Sequence, residues 1–388
     1  MSKPSEKTVR TLVSTALTFG IIWMYAQIIL SFSIFNPVSQ VLKDYSITDF
    51  YYQVLNFDKS GNRDTSRIVT IVDVGDLMNR DEIATYLCDI LDQEPKVVGV
   101  DIMFSGIKPE NPYGDSLIMD VAKNYKNMVF SLQFDDHSVD ETGNTLIKKH
   151  AFFADSLPDV KEAVANIPFD QYGGQKRNFF VGKKVNGQMM PSVIKSLSDE
   201  YAGEEIVPLA DKTMKINWSP IDFRVIPYDS ITFYTEYLVD RIVLFGSVSD
   251  DSDMHLTPYG MMPGIKLLGY GIETMLKQNE VEEVPTWILW IVSYLVVLLT
   301  RLIFERYDNY VKGRKNAMLR IVLKTSIVKG LVKFFWMAII MYFGFLLFVK
   351  FHLSINFAWA FSAIAFTSMA DDLYDVAYNS ITKKKDNV

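Results

Sequence analysis

Four long apolar stretches flank one ordinary globular stretch, and this placement constrains the chain more than any motif does. The first covers residues 12–35 (LVSTALTFGIIWMYAQIILSFSIF), and three more are crowded together at residues 285–304, 334–349 and 353–370. A hydrocarbon core of about 30 Å needs about 20 mostly apolar residues in a helix. Residues 12–35 meet this without a charge, and 285–304 carries only Arg301, close enough to one end to snorkel to the interface. The stretch at 334–349 is short, so its helix is expected to begin earlier or tilt. The expectation is four transmembrane helices, one N-terminal and three C-terminal. The run at 12–35 is longer than the apolar core of a signal peptide, and no small-x-small cleavage site follows it, so it reads as an uncleaved anchor.

Basic residues orient the spans. Lys3, Lys7 and Arg10 precede the first. Arg306, Lys312, Arg314, Lys315, Arg320, Lys324, Lys329 and Lys333 lie between the second and third, and Lys383, Lys384 and Lys385 follow the fourth. If all four cross, these groups share one side, which by the positive-inside rule is cytoplasmic. The reading is therefore a cytoplasmic N-terminus (1–11), a periplasmic domain (36–284), a basic cytoplasmic loop (305–333) and a cytoplasmic tail (371–388), in a bacterial inner membrane. Within the loop, residues 317–333 read equally as an amphipathic helix on the inner leaflet and as an extension of the third span.

Residues 36–284 carry 23 Lys and Arg against 39 Asp and Glu, a net of −16, while the rest of the chain is at +9. So acidic a domain argues against nucleic acid as a partner. Cys88 is the one cysteine, which excludes an intrachain disulfide, and its position on a helix core face reads as a structural thiol.

Within the domain, Arg67-Ile-Val-Thr-Ile-Val-Asp73 has the continuous β-branched character of a buried strand. Residues 80–93 follow with apolar positions at three- and four-residue spacing, and Asn79 is placed to cap them. A second buried strand, 96–104, completes a βαβ unit. Further helices are read at 115–126, 191–202 (starting at Pro191) and 264–277. Further strands are read at 127–133, 214–218 and 241–246, and a hairpin around Asn186-Gly187. Residues 36–66 read as a connecting helix and loop, and 134–177 as irregular. The fold class expected is an α/β domain with a mostly parallel sheet plus four transmembrane helices.

In such sheets, ligand crevices open at the carboxyl ends of the strands. Asp73 and Asp101 fall at or near two such ends, and Asp253 and His255 follow a third strand, with Thr257 just beyond. These groups could line a crevice for a small molecule or peptide or hold a divalent cation. The plainer reading is that they cap helices and turns and are solvated or hydrogen-bonded, with a crevice next and a metal last. There is no HExxH, EF-hand or G-x-S-x-G pattern, and only His137, His150 and His255 lie in the domain. Phe245-Gly246-Ser247 lacks the second glycine and lysine of a phosphate loop. No cofactor, bound metal or enzymatic activity is expected.

The segment VDRIVLFGSVSDDSDMHLTPYGMMPGIKLLGYGIETMLKQNEV resembles the closing block of the CHASE type-2 extracellular sensory domain family. Gly246, Asp253, Thr257, Pro258, Pro263 and Gly264 stand at its marked positions. IVTIVDV followed by VVGVDIMFSG resembles the opening of the same family, and the layout of spans is also similar. The resemblance implies a membrane-anchored extracytoplasmic sensor. Two departures stand out. Gly75–Arg80 occupies the place of the family's Trp-Pro-rich turn, and no output domain follows the fourth span. The expected partners are therefore the lipid bilayer and a separate signalling chain, cytoplasmic or in the membrane, with homo-oligomerisation left open. The alternatives are a structural scaffold of an envelope complex and, behind it, a periplasmic metal-dependent enzyme.

Overall fold

The computed structural model describes residues 6–31, 51–52, 63–75, 79–139, 145–168, 174–355 and 358–385. Most of the expected connecting segment 36–66, the centre of the Gly75–Arg80 turn, the end of the first apolar stretch and Gly173 lie outside them. The chain divides into two compact units, Asp49–Val281 and Met1–Thr48 with Glu282–Val388.

The first unit is built on a mixed sheet of ten strands among the described residues. Its parallel block forms as the buried β-branched runs predict. β1 (Asp64–Asp73) leads to helix α1 (Arg80–Leu91) and β2 (Val97–Val100), and helix α2 (Pro112–Asn124) leads to β3 (Met128–Val139). The chain then adds β4 (Thr145–Lys149), β5 (Lys161–Val164), β6 (Asn178–Val185), β7 (Gln188–Pro191), helix α3 (Val193–Ala202), β8 (Lys212–Lys215) and β9 (Ile221–Pro227). Late in the sequence, β10 (Ile242–Gly246) inserts between β2 and β1, parallel to both. The order is β7-β6-β4-β3-β2-β10-β1-β9, with β5 parallel to β3 and β8 antiparallel to β6. β3–β4, β6–β7 and β6–β8 are antiparallel, so the sheet is mixed, with its other described pairings parallel as expected.

One face packs against α1 and α2, where Val98, Val100 and Phe245 meet Ile83, Leu87, Ile90 and Ile118. The other face is covered by α3 and by helix α4 (Gly264–Lys277), which follows the short hairpin of β11 (Met254–Thr257) and β12 (Gly260–Pro263). Residues of one strand alternate between the two faces. At Gly99 an added Cβ would stand 2.6 Å from Leu197 Cδ1 of α3, so the glycine leaves room for that leucine to lie over the strand.

Several local expectations shift. The hairpin at Asn186-Gly187 forms, with φ of 48° and 78°, the two left-handed residues of a type I′ turn. Asn79 stands at the N-cap of α1, but its side chain makes no capping bond. Ser192, not Pro191, starts α3: its hydroxyl accepts from Lys195 N at 3.1 Å, while Pro191 ends β7. The stretch read as irregular holds β4 and β5, both short and carrying lysine. The strand read at 214–218 is displaced to Lys212–Lys215.

A buried ion pair ties α1 to α2. The guanidinium of Arg80 meets Asp115, and their side chains are 4% and 7% exposed. Arg80 also donates to the Gly106 carbonyl at 2.8 Å and lies 4.8 Å from the Phe152 ring centroid, and Asp115 accepts from Lys108 N at 2.7 Å.

The second unit contains helices α5 (Glu6–Ser31), α6 (Thr286–Lys312), α7 (Ala317–Lys324), α8 (Ser326–Phe351) and α9 (Ala358–Lys385). Thr286–Lys312 and Ile327–Phe351 are long and apolar enough to cross a membrane. The third apolar stretch does start earlier than its sequence core, at Ser326. The segment at 317–333 divides: α7 is a separate helix capped by Asn316, and the remainder from Ser326 belongs to α8. Ile22, Val297, Ile340, Ala360, Ala363 and Ile364 form the interior of this unit.

Removing Asp115 leaves the Arg80 charge buried without its partner, which costs about 3–5 kcal/mol. Asp115→Ala is therefore expected to lower the denaturation midpoint of the full chain sharply, as read by circular dichroism. Replacing Arg80 and Asp115 together by Met and Leu should recover much of the loss.

Candidate functional site

The carboxyl ends of β1, β10 and β2 form one edge, centred on Gly246. Asp73 is in register with Gly246 on one side, and Val74 N donates to the Gly246 carbonyl at 3.1 Å. On the other side Asp101 N donates to the Phe245 carbonyl at 2.9 Å. A Cβ on Gly246 would stand 2.9 Å from Ile265 Cδ1 in the first turn of α4 and 3.1 Å from Asp101 Cβ. Glycine thus lets a strand end, a carboxylate-bearing residue and a helix start meet at one point.

Asp253 closes the arrangement. Its Oδ2 accepts from Gly264 N, the first residue of α4, at 3.1 Å, and its Oδ1 lies 3.1 Å from His255 Nε2. A Cβ on Gly264 would fall 2.4 Å from Asp253 Oδ2, so the carboxylate can reach the helix start only over a glycine. A carboxylate here satisfies a free N–H and complements the positive end of the helix dipole. Pro263, at the N-cap, sets the extended entry into α4 with φ −66° and ψ 146°.

The sequence-predicted residues divide into two sets. Asp101, Asp253 and His255 come together around the start of α4. Asp73 shares the edge but is occupied: its Oδ1 accepts from Gly75 N at 3.2 Å and Val248 N at 3.1 Å, joining the turns after β1 and β10. Thr257 is buried, and its hydroxyl donates to the Gly260 carbonyl at 2.8 Å and accepts from Tyr259 N at 3.1 Å. It and Pro258 build the hairpin turn, so these contacts satisfy the hydroxyl internally.

The electrostatics centre on Asp101. Burial, reinforced by the negative charge of Asp253, pushes its carboxyl up to about 6, while the Ser131 hydroxyl, donating at 3.0 Å, and His255 pull the other way. Ser131 was missed in the sequence because it lies inside β3 and carries no signal of its own. Tyr259 donates to the Trp218 carbonyl at 2.6 Å, and burial raises its phenol to about 12. Cys88 is half-buried against the core and its thiol is raised by burial, the environment of an unreactive sulfur. Among the described residues, no group of three His, Cys, Asp or Glu is placed to hold a metal ion.

A second polar constellation lies wholly in the helical unit. Arg301 of α6 is 10% exposed and pairs with Asp371 of α9. It also donates to Thr18 Oγ1 at 3.1 Å and to the carbonyls of Ser14 and Thr367, each at 3.3 Å. Arg301, which the sequence marks as able to snorkel, has its guanidinium held by these groups on α5 and α9. Asp371, one residue past the fourth apolar stretch, neutralises it between helices, with α5 supplying Ser14 and Thr18 as acceptors and α9 the Thr367 carbonyl. Trp336 Nε1 donates to Thr300 Oγ1 at 2.8 Å in the same unit.

The chain thus combines an α/β unit, whose late-arriving central strand leads on to a glycine-started helix, with two helices long and apolar enough to cross a membrane among the described residues. The family model of the CHASE2 domain matches residues 26–303, well over half of the chain. The chain belongs to the CHASE2 family, a family of extracellular sensory domains. No curated protein and no solved structure matches it.

Because the folded-state pKa of Asp101 lies above its ordinary 3.8, the native state binds more protons than the unfolded chain between 3.8 and about 6. The contribution of Asp101 to stability is thus present at low pH and lost as pH rises through that window. Asp101→Asn keeps the acceptor for Ser131 and removes the charge. Its melting temperature relative to wild type is expected to rise across this window and level off above it. A difference that does not vary with pH would contradict this.

Proposed function

We propose that the protein is a membrane-anchored extracytoplasmic sensor that binds a cue or partner on its α/β domain and signals through a separate effector chain. In this reading four helices span a bacterial inner membrane, both termini are cytoplasmic, and the acidic domain is periplasmic. Family membership and two helices of spanning length support it, as do the basic groups that share one side once four crossings are assumed. The observation that carries it is the clasp of Asp253 on Gly264. The clasp ties the polar edge of the sheet to the first turn of α4, and only eight residues separate the end of α4 at Lys277 from the start of α6 at Thr286. A cue that disturbs Asp101, Asp253 or His255 changes what holds the start of α4.

A structural scaffold of an envelope complex is the second reading. It draws on Asp73 and Thr257, whose side chains brace their own turns. Nothing in the edge requires a catalytic role, and we assign none.

Photo-crosslinking amino acids at Tyr310 and Tyr378, both exposed, test the sensor reading in cells. The expected result is capture of one defined signalling protein, with a yield that changes when Asp253 is replaced by Ala. No captured signalling chain, together with unchanged signalling on deletion of the gene, would contradict it. Capture of envelope structural proteins, indifferent to Asp253→Ala, would support the scaffold.

A further inference from the structure

A cavity of about 480 Å³ opens at the other end of β1, lined by Asp64, Ser66, Arg67, Ile221, Glu273 and Lys277 among others. It arises from a break in the sheet. β1 pairs with β9 at Thr65↔Asp222 and again only at Thr70↔Arg224, so four residues of β1 stand against one of β9. The extra backbone is organised around Ser66, whose hydroxyl accepts from Ile68 N at 3.1 Å and Val69 N at 2.9 Å. With both donors facing it, the hydroxyl directs its own proton to Glu273, 207 residues away.

Glu273 is only 4% exposed. A buried carboxylate is costly unless a cation is held against it. The cation present is Lys277, whose Nζ lies 2.8 Å from Glu273 Oε2 but whose side chain is 42% exposed. Leaving Glu273 bare would be expensive, so Lys277 yields its place only as another ammonium takes it, and its exposed stem lets that exchange happen. Beside it, Arg67 and Asp64 are exposed on the cavity and form no ion pair with another described residue. A guanidinium is the group best shaped to grip a carboxylate through two N–H donors. Ile68 and Ile221 supply apolar wall, and the volume is that of a small-molecule pocket.

We propose that this cavity binds a small zwitterion of the α-amino-acid type. The ligand ammonium takes the place of Lys277 against Glu273, and its carboxylate lies against Arg67 and the released Lys277. The site is distinct from the edge around Gly246 and sits on the last turn of α4, the end from which the chain runs on towards α6. Its role as a cue site rests on the sensor reading; the binding itself does not.

The test is a panel of free L-amino acids added to the full chain in lipid nanodiscs, read by thermal shift and by calorimetry. A ligand of the native state raises the melting temperature with its concentration. At least one amino acid should do so, while its amine and acid analogues, each lacking one charged group, should not. Arg67→Ala, at an exposed position where folding is not at stake, should weaken binding about tenfold or more. Glu273→Gln should abolish it. The proposal is overturned if no amino acid shifts the folded wild type, or if the shift survives Arg67→Ala at full strength. Either result leaves effector capture at Tyr310 and Tyr378 unaffected, so a failure of this site is distinguishable from a failure of the sensor reading.

Discussion

The close approach at Gly246 is the constraint on which the rest of the α/β unit depends. β10 is the last strand of the sheet to be made, yet it fills the slot between β1 and β2 and is buried along its whole length. Until it arrives, the first two βαβ strands have no common neighbour. Its end then has to accommodate Asp73, Asp101 and the first turn of α4 at once, which only a residue without a side chain permits. From that point the order of the closing block follows. A turn brings Asp253 back, a hairpin re-aims the chain, and a second glycine lets the carboxylate meet the helix start.

Both units satisfy their buried charges internally. Arg80 finds Asp115, Glu273 finds Ser66 and Lys277, and Arg301 finds Asp371. Such pairs add little net stability, because desolvation offsets most of the attraction, but breaking one is expensive. Their effect is to select one arrangement of helices over close competitors. Asp101 is the exception. Its burial is opposed by a neighbouring carboxylate instead of being compensated, which leaves a group that titrates near neutrality at the start of α4.

The parallel block was legible in the sequence because burial on both faces writes itself as a continuous β-branched run, as at 67–73, 97–100 and 242–246. The strand ends placed Asp73 and Asp101 correctly for the same reason, and the glycine and proline punctuation of 246–264 located α4 to the residue. What was not legible was polar or long-range. β9 carries Asp222 and Arg224 in IDFRVIP, and β4 and β5 lie in the stretch 134–177 that reads as irregular, so pairing partners rather than local pattern decide these strands. Arg301 looked like an interfacial residue because its counter-charge lies 70 residues further on. Ser131 and Ser66 are ordinary serines in strands, and only the fold shows which carboxylate each one faces.

The central claim is that the Asp253 clasp holds the start of α4 and that α4 is the element through which the domain acts on the helical unit. Hydrogen–deuterium exchange on the full chain in lipid nanodiscs, comparing wild type with Asp253→Ala, tests it most directly. The account predicts faster exchange through the first turn of α4 at Gly264–Leu268, carried along the helix to the amides at the start of α6. Exchange altered only at residues 250–256, with α4 and α6 unchanged, would contradict it.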